Sequence, residues 1–594
     1  MKSKSIIGVL TIFFTIVLTT SCADMLDIDS NRVVYEKDHH LNSTADSVYS
    51  TLGILQSLQQ IADRYVILGE VRGDLVTIND VTKTSLRNLA NFEFDAENEY
   101  LDVKDYYAVI NNCNYLIAHI DTTIAQNNGR VMVDEYVTAL TIRAWTYMQL
   151  AINYGKVPFY TEPITSIPDS EKDYPLYGIK ELAPILAEEL LPFKEYETPV
   201  WGGLTVGTKL MIPSISLVLA DLYLWSEMYD KATEVLLDFL TEEGVITHVV
   251  TQNNISYRLT GLVTNNGAYV YKNPLSIGNL VSVYSSVGWT DYIGYGVLTD
   301  NRCVIPLAIS TEYGTTTEVH KLFYSEDGSH QLAPSLYWKN LSDAQTYCMA
   351  TDLLNEVDPI VEYFPKNTDG RSAYYHNPND EYTLNDIVYA PMKKFNKLTN
   401  SGVDKYQNSE HTFINIYRGP ISYLRAAEAF NCYARKTEDR EYAIIAYDLL
   451  RDAFEAFKGI SKITGNSSMF DVPIEVEKIF KSIALQGVHA RGCGDAHLDT
   501  TYSLKPSAIA AYLQIPQDGI TFNDTIEYIE QRIIDELALE AAFEGNRFTD
   551  LIRFAERRNE PEFLIDRVAN RSGEYDPELA AKLQDKSNWY LPLK

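Results

Sequence analysis

The sequence has few of the features that mark membrane channels, common enzymes and nucleic-acid-binding proteins. Beyond the N-terminal segment, no apolar run approaches the about 20 residues that a membrane-spanning helix needs. No GxSxG, HExxH or Walker sequence is present, so the usual hydrolase, zinc-protease and nucleotide-binding motifs are missing. Basic residues are also scarce, with 50 Lys and Arg against 81 Asp and Glu, which gives a formal charge of −31. This charge argues against a nucleic-acid partner and against broad contact with anionic lipid headgroups.

Cysteine and tryptophan are equally sparse, with six of each. No CxxC pair occurs, and the five cysteines after the first are an odd number, which argues against a disulfide framework. The abundant aromatic residue is tyrosine, with 42 copies. Tyrosine rings have an apolar body and a polar tip, so they suit surfaces that are both packed and polar.

The N-terminus has the pattern of an export signal. Lys2 and Lys4 precede an apolar run of 13 residues over 6–18, and small residues lead to Cys22. The run is too short to span the hydrocarbon core of a bilayer, so we expect residues 1–21 to be a signal peptide that is removed. Loss of the two lysines takes the formal charge from −31 to −33.

The cysteine at the cleavage point distinguishes this signal from an ordinary secretory one. The pattern resembles the lipobox of bacterial lipoproteins, although Thr19 occupies the usual leucine position and Leu18 lies one place further back. We therefore predict that Cys22 is acylated and anchors the protein, while a plain signal peptide with an incidental cysteine is the alternative. Several acyl chains, each worth about 0.8 kcal/mol per buried methylene, hold a protein stably at a membrane.

Helical periodicity dominates both ends of the chain. Apolar or small residues recur three or four apart from Val137 to Ala151, and the pattern ends at Gly155. Two further stretches, over 216–240 and 421–454, each predict a helix, a tight turn and a second helix. These units resemble tetratricopeptide hairpins, without a strict 34-residue period.

The middle of the chain reads differently. From about 244 to 409, short apolar groups alternate with Asn, Gly, Ser and Pro, which predicts loops and short strands. An insertion of this length is unusual in a compact domain unless it has a function, so we expect the ligand site there.

Four stretches resemble the SusD/RagB family of outer-membrane lipoproteins of Bacteroidetes. They are "GEVRGDL" at 69–75, "RAWTYMQLAINYGKVPFYTEP" at 143–163, "IYRGPISYLRAAEAF" at 416–430 and "ELALEAAFEGNRFTDLIRF" at 536–554, with a closing "WYLPL". Their order and their position after a lipoprotein signal make the resemblance specific.

The resemblance implies a mainly α, SusD-like fold with tetratricopeptide-like helical hairpins and a long insertion rich in loops and short strands. We expect one domain over 22–594, with a helical scaffold at about 40–243 and 410–594 and a ligand-side insertion at about 244–409. The family implies a surface-exposed protein of the cell outer membrane that binds oligosaccharides, or in some members oligopeptides. It delivers them to a SusC-like TonB-dependent transporter and performs no chemistry. We expect no cofactor, and we assign no metal-binding residues.

The best local candidate for ligand binding is the aromatic group "VGWTDYIGYG". Trp289, Tyr292 and Tyr295 are spaced three apart beside glycines, so their rings could stack on sugars; alternatively they pack the insertion onto the helices. By the resemblance, the loop after the "RGD" element also lines the ligand face, and it contains Asn79 and Asp80. These two residues could orient a hydroxyl or an amide, or they could cap the next helix.

Two other ligand classes remain open. The low tryptophan count argues mildly against a glycan site, and the Asn and Tyr side chains and backbone amides could bind an oligopeptide equally well. The family resemblance favours glycans, so we predict an oligosaccharide ligand. A third alternative is a structural or adhesive surface protein that binds a protein partner through the helical repeats.

Three tempting motifs have simpler interpretations. Arg72 and Asp74, in an adhesion-like "RGD", are expected to make structural hydrogen bonds. His489, Cys493 and His497 have a metal-like spacing of four, but glycines beside the cysteine argue against the helix that would bring them together. Glu544 and Arg547, three apart, are expected to form an ion pair on a helix rather than an acid/base pair.

Overall fold

The computed structural model describes most of the helical scaffold and parts of the central insertion. The described residues are 41, 43–126, 129–130, 132–196, 213–242, 303–306, 318–323, 330–345, 347–350, 361–364, 382–384, 387–389, 413–417, 419–451, 463, 488–489 and 502–593. Among them the protein is mainly α-helical, as the sequence predicts.

The helices of the N-terminal part are α1 Thr44–Gln59, α2 Ala62–Val71, α3 Thr84–Ala90, α4 Lys104–His119, α5 Val133–Tyr154, α6 Ile167–Ser170, α7 Ile179–Leu190, α8 Ile215–Trp225 and α9 Tyr229–Glu242. The helices of the remaining part are α10 Glu318–Phe323, α11 Leu336–Asp343, α12 Gly419–Thr437, α13 Arg440–Arg451, α14 Pro506–Leu513, α15 Phe522–Glu540, α16 Arg547–Arg558, α17 Glu562–Ala569 and α18 Pro577–Leu583. Short 3₁₀ turns lie at Glu99–Leu101, Leu191–Phe193 and Lys586–Trp589.

Local sequence explains where several helices begin and end. The Ser214 hydroxyl accepts a hydrogen bond from the Leu217 N–H at the start of α8, and Thr521 and Asp524 form a capping box at the start of α15. Helix α5 ends at Gly155, which has a φ of +76°. A non-glycine residue rarely adopts this backbone conformation, so the predicted end of the helix is confirmed.

The predicted helical hairpins are confirmed and pack in succession. Helix α4 packs on α5, α5 on α7, α7 on α8, α8 on α9, α9 on α12, and α12 on both α13 and α15. Nearly every side chain of α5 and every side chain of α8 is buried, so these helices form the centre of the array. Residues from both ends of the chain belong to one continuous apolar core.

The strands are short and pair in twos, all antiparallel. They are β1 Val76–Ile78 with β7 Leu332–Pro334, β2 Ala125–Gln126 with β3 Gly129–Arg130, β4 Val157–Pro158 with β5 Leu176–Tyr177, β6 Cys303–Pro306 with β12 Phe413–Tyr417, β8 Tyr347–Ala350 with β9 Val361–Phe364, and β10 Tyr382–Leu384 with β11 Ile387–Tyr389. Between 244 and 409 the described residues form six of these strands and helices α10 and α11. The β1–β7 pair joins this insertion to the N-terminal scaffold, with Val76 opposite Pro334.

Candidate functional site

The candidate site is the surface where the insertion meets the loop that follows the "RGD" element. The side-chain amide of Asn79 donates to the His330 carbonyl at 2.9 Å, and the Thr82 hydroxyl donates to the Gln331 carbonyl at 2.5 Å. The Lys83 N–H donates to the Gln331 side chain at 2.9 Å. Together with the β1–β7 pair, these bonds fix the loop over 79–83 against the insertion.

The two polar residues that the family resemblance assigns to the ligand face differ in their surroundings. Asn79 is buried. Its side-chain oxygen accepts a hydrogen bond from the Val81 N–H at 3.1 Å, and its side-chain NH₂ group donates to the His330 carbonyl. Asp80, the next residue, is exposed. Asn79 therefore shapes the loop, and Asp80 is the member of the pair that lies at the surface.

A cluster of charged and phenolic groups lies beside this loop, formed by Lys83, Glu99, Tyr100 and Glu318. The Lys83 ammonium lies 2.7 Å from a carboxylate oxygen of Glu99 and 2.7 Å from one of Glu318. The Tyr100 hydroxyl donates to the same Glu318 oxygen at 2.5 Å, and the Lys83 ammonium lies 4.7 Å from the Tyr100 ring centre. We call these four residues the Lys83 cluster.

Contacts within the Lys83 cluster shift the pKa values of Lys83, Glu99 and Tyr100. Partial burial lowers the pKa of Lys83, but hydrogen bonds to Glu318 and Glu99 outweigh it, so the pKa is raised. The hydrogen bond from Lys83 lowers the pKa of Glu99, and burial with the Glu318 bond raises the pKa of Tyr100 well above its ordinary value. Groups that stay charged across the neutral range bind and orient polar ligands, but they do not exchange protons readily.

The described part of the insertion is attached to both ends of the chain. The Asp63 carboxylate, from α2, accepts hydrogen bonds from the N–H groups of Glu318 and Val319 and so caps α10. The Trp338 indole N–H, from α11, donates to the Ala538 carbonyl of α15 at 3.1 Å. The candidate site thus rests on a rigid base.

That base is built from two of the motifs found in the sequence. Asp74 accepts two hydrogen bonds from the Arg547 guanidinium, at 2.6 and 2.8 Å, and Glu70 accepts one from the Gly545 N–H at 2.7 Å. Arg72 is fully buried and donates to the carbonyls of Leu68 and Trp589. The prediction that Arg72 and Asp74 make structural hydrogen bonds is confirmed, and a buried tripeptide of this kind is not presented to a receptor.

One local prediction about the C-terminal motif is wrong. Glu544 and Arg547 do not share a helix, because α15 ends at Glu540, α16 begins at Arg547, and Gly545 between them has a φ of +97°. The carboxylate bound to the Arg547 guanidinium is Asp74, which lies 473 residues away.

The remaining predicted site residues have different outcomes. Cys22, Trp289, Tyr292, Tyr295, Cys493 and His497 lie outside the described residues. His489 is buried, with its Nδ1 atom 3.1 Å from a Glu536 carboxylate oxygen and its ring stacked on Tyr502. Within the described ranges, no group of three or more His, Cys, Asp or Glu could hold a metal ion. No helix in those same ranges is long and apolar enough to cross a membrane.

Sequence reasoning missed the Lys83 cluster. Lys83 and Glu318 are 235 residues apart, so no spacing pattern connects them. The available signal was the position of Lys83 in the loop that the family resemblance placed on the ligand face.

Comparison with known proteins gives a match by structure. No protein-family model matches the chain, and no curated protein matches it. A SusD superfamily protein from Bacteroides thetaiotaomicron aligns with a TM-score of 0.51 at 13% identity, over 92% of this chain and 98% of that chain. A SusD homolog from the same species aligns with a TM-score of 0.49 at 14% identity, over 93% of this chain and 94% of that one.

A SusD-like carbohydrate binding protein from Bacteroides vulgatus also aligns, with a TM-score of 0.46 at 15% identity, over 86% of this chain and 84% of that chain. The match with a TM-score of 0.51 spans nearly the full length of both proteins. The resemblance found in the sequence is thereby confirmed at the level of the fold.

Proposed function

We propose that this chain, whose fold is SusD-like, is a lipid-anchored protein of the cell outer membrane that binds oligosaccharides and delivers them to a partner TonB-dependent transporter. The observation that carries the proposal is the fold, which follows that of a SusD superfamily protein over 92% of this chain. A fold by itself does not fix a ligand, so the ligand class is argued from residues.

The ligand proposal rests on the aromatic residues of the insertion and on the surface beside it. Trp289, Tyr292 and Tyr295 provide rings that can stack on sugar faces. The Lys83 cluster and the exposed Asp80 provide charged donors and acceptors for hydroxyl groups beside the insertion. Sugar recognition needs both kinds of contact, which is why we favour oligosaccharides. The carbohydrate named for the Bacteroides vulgatus protein agrees with this choice.

Anchoring and transport are inferred from the N-terminus and from the family resemblance. Residues 1–21 have the pattern of a signal peptide, and acylation of Cys22 would hold an acidic body with a formal charge of −33 in water beside the membrane. The ligand is then passed to a SusC-like transporter, and a lipid tether allows the hinge motion that such a transfer needs.

We propose that the protein binds its ligand without chemical change and without a cofactor. In the Lys83 cluster, hydrogen bonds between opposite charges raise the pKa of Lys83 and lower that of Glu99. General acid/base catalysis needs a group whose pKa is close to the working pH. These shifts move the pKa values of Lys83 and Glu99 further from neutral pH.

Two alternatives make different predictions. An oligopeptide would bind through main-chain hydrogen bonds along the same face. Peptidase genes beside the transporter gene would indicate this ligand class. An adhesive protein would bind a protein partner in the concave face of the helical array and would have no need of the insertion.

The test is calorimetric titration of the mature protein with a panel of neutral oligosaccharides and of peptides. We expect at least one glycan to bind, and its affinity to fall at least tenfold when Trp289, Tyr292 and Tyr295 are replaced together by alanine. A matched control replaces three tyrosines of the scaffold surface, Tyr49, Tyr196 and Tyr575, which are 73%, 37% and 51% exposed. Peptide binding without glycan binding would establish the first alternative, and unchanged glycan affinity in the triple variant would remove the proposed site.

A further inference from the structure

A second cleft lies at one end of the helical array, where the C-terminal segment closes over the ends of α5 and α8 and the start of α7. Its volume is about 880 Å³, within the range of small-molecule sites. Its walls include aromatic rings, a charged rim and two glycines, from Phe92, Phe94, Tyr154, Gly155, Lys156, Gly178, Lys180, Glu181, Trp225, Glu556, Ser587, Asn588 and Tyr590. None of these residues belongs to the candidate site described above.

The C-terminal wall of the cleft is fixed in place. The Leu591 N–H donates to the Asn153 carbonyl at 2.8 Å, and the buried Trp589 donates its indole N–H to the Leu583 carbonyl at 2.8 Å. Between them, the half-buried Tyr590 ring packs on Gly155, where an added Cβ would lie 3.2 Å from the ring. The ring is therefore preorganised, and a ligand would not have to order it.

The rim of the cleft carries charges of both signs in equal number. Lys156 and Lys180 provide two cations, and Glu181 and Glu556 provide two carboxylates. Lys180 lies 3.9 Å from Glu556 and 3.2 Å from Glu227, so part of this charge is already compensated. A ligand with a net charge gains little from such a rim, whereas a neutral ligand whose groups both donate and accept hydrogen bonds can pair with the donors and acceptors that remain.

The aromatic surface of the cleft narrows the ligand class further. Phe94 and Tyr590 are half-buried, so part of each ring is open to solvent, and Phe94 packs beside Phe92 with ring centres 6.0 Å apart. Rings of this kind bind the apolar C–H face of a pyranose, while charged and amide groups at the rim bind its hydroxyls.

From the cleft's fixed Tyr590 wall, its open aromatic rings and its balanced rim, we propose that it is a second ligand site that takes a short neutral saccharide. This site is separate from the aromatic group of the insertion. The proposal shares only the ligand class with the proposed function, and the experiment below separates the two.

Two variants test the cleft in different ways. Tyr590→Ala removes the fixed wall. Gly178→Phe adds a large side chain at the cleft wall, and the backbone accepts it, because Gly178 has an ordinary φ of −87° and an added Cβ would meet only the side chains of Glu181 at 3.5 Å and Lys156 at 4.0 Å. The control is Gly53→Phe, on α1. An added Cβ at Gly53 meets no atom within 4 Å, and Gly53 does not line the cleft.

The probes are the neutral disaccharides maltose, cellobiose and lactose, titrated against the mature protein and followed by saturation-transfer NMR. At least one disaccharide should bind the wild type and the Gly53→Phe variant with equal affinity, and this binding should persist in the Trp289/Tyr292/Tyr295 triple-alanine variant. Its affinity should be at least tenfold weaker in Tyr590→Ala and in Gly178→Phe.

Other results overturn the proposal. They are no disaccharide binding by the wild type, wild-type affinity in Gly178→Phe, loss of all binding in the triple-alanine variant, or tighter binding of the zwitterionic dipeptide glycylglycine. Failure of the proposed insertion site would have another signature, because the affinity for longer oligosaccharides would then be unchanged in the triple-alanine variant, while the two cleft variants still lost disaccharide binding.

Discussion

Asp74 and Arg547 form a fully buried ion pair in which one carboxylate accepts two hydrogen bonds, at 2.6 and 2.8 Å, from one guanidinium. The pair joins the loop after α2 to the start of α16. It therefore holds together two segments from opposite ends of the chain, and the first of them lies next in sequence to β1, which pairs with β7 of the insertion.

We expect Asp74→Ala to lower the free energy of unfolding by about 3–5 kcal/mol, because it leaves a buried guanidinium without its counter-charge. Guanidinium chloride unfolding followed by circular dichroism measures the change. The control is Glu93→Ala, which removes the exposed partner of Lys582 in a pair 3.3 Å apart and should change stability by less than about 1 kcal/mol. Equal effects of the two variants would show that Asp74 does not hold the junction.

Two helical glycines should respond to alanine with opposite signs. An added Cβ at Gly69 would lie 1.8 Å from the Gly545 carbonyl oxygen, while at Gly53 it would meet no atom within 4 Å. Gly69→Ala should destabilise the protein by about 3 kcal/mol, the upper end of overpacking costs, since backbone must move. Gly53→Ala should stabilise it by roughly 0.5–1 kcal/mol through helix propensity. Thermal unfolding of both variants measures these changes. A Gly69→Ala protein as stable as the wild type would contradict the close approach of α2 to the Gly545 backbone between α15 and α16.

The helical scaffold could be predicted because its signals are local. The hairpins at 215–242 and 419–451 follow from the spacing of apolar residues and from polar turns, and the end of α5 follows from Gly155. Periodicity shows which face of a helix is buried, but not which partner it meets.

The contacts that build the candidate site could not be predicted, because they join residues far apart in the chain. Asn79 and Asp80 are neighbours with similar side chains, and the Asn79 amide donates to the His330 carbonyl, which lies 251 residues further along the chain. The wrong pairing of Glu544 with Arg547 has the same origin. A spacing of three favours an ion pair only within a helix, and Gly545 interrupts the helix there.

Stability should fall in acid because of Glu428, a buried carboxylate that contacts three arginines. It accepts hydrogen bonds from Arg553 at 2.9 and 2.8 Å and from Arg557 at 2.7 Å, and it lies 3.7 Å from Arg425. Burial raises the pKa of Glu428, but the charges of Arg553 and Arg557 outweigh burial and hold the pKa well below its ordinary value of 4.5. A depressed pKa stabilises the fold above pH 4.5, and this stabilisation is lost as the pH falls below that value.

The variant Glu428→Gln tests this dependence. Its unfolding free energy should be about 3–5 kcal/mol lower at pH 7, because buried guanidinium groups lose their counter-charge. It should also change less between pH 5 and pH 3 than that of the wild type. Urea unfolding at pH 7, 5, 4 and 3 provides the measurement, with the exposed Glu438→Gln as control. A wild-type acid dependence in Glu428→Gln would assign the effect to other carboxylates.

Substitution of Asn79 should lower stability, whereas substitution of Asp80 should weaken ligand binding. Asn79→Ala removes buried hydrogen bonds to the His330 carbonyl and from the Val81 N–H, so we expect a loss of about 1–3 kcal/mol in unfolding free energy. Asp80→Ala changes an exposed side chain and should leave stability within about 0.5 kcal/mol while weakening the bound glycan. Calorimetry and thermal unfolding on the same samples distinguish the two effects, and unchanged glycan affinity in Asp80→Ala would remove Asp80 from the ligand face.

The lipid anchor should depend on Cys22 alone. In the native host, Cys22→Ser should abolish incorporation of labelled palmitate and move the protein from the outer-membrane fraction to the soluble fraction. The physical reason is that acyl chains contribute about 0.8 kcal/mol for each buried methylene, and the acidic chain has little other attraction to a membrane surface. Cys432→Ser, at a buried cysteine of α12, is the control and should keep both the label and the membrane location. Mass spectrometry of the N-terminal peptide gives the decisive observation, since an unmodified terminus beginning at or near residue 22 on secreted wild-type protein would replace the anchor with a plain signal peptide.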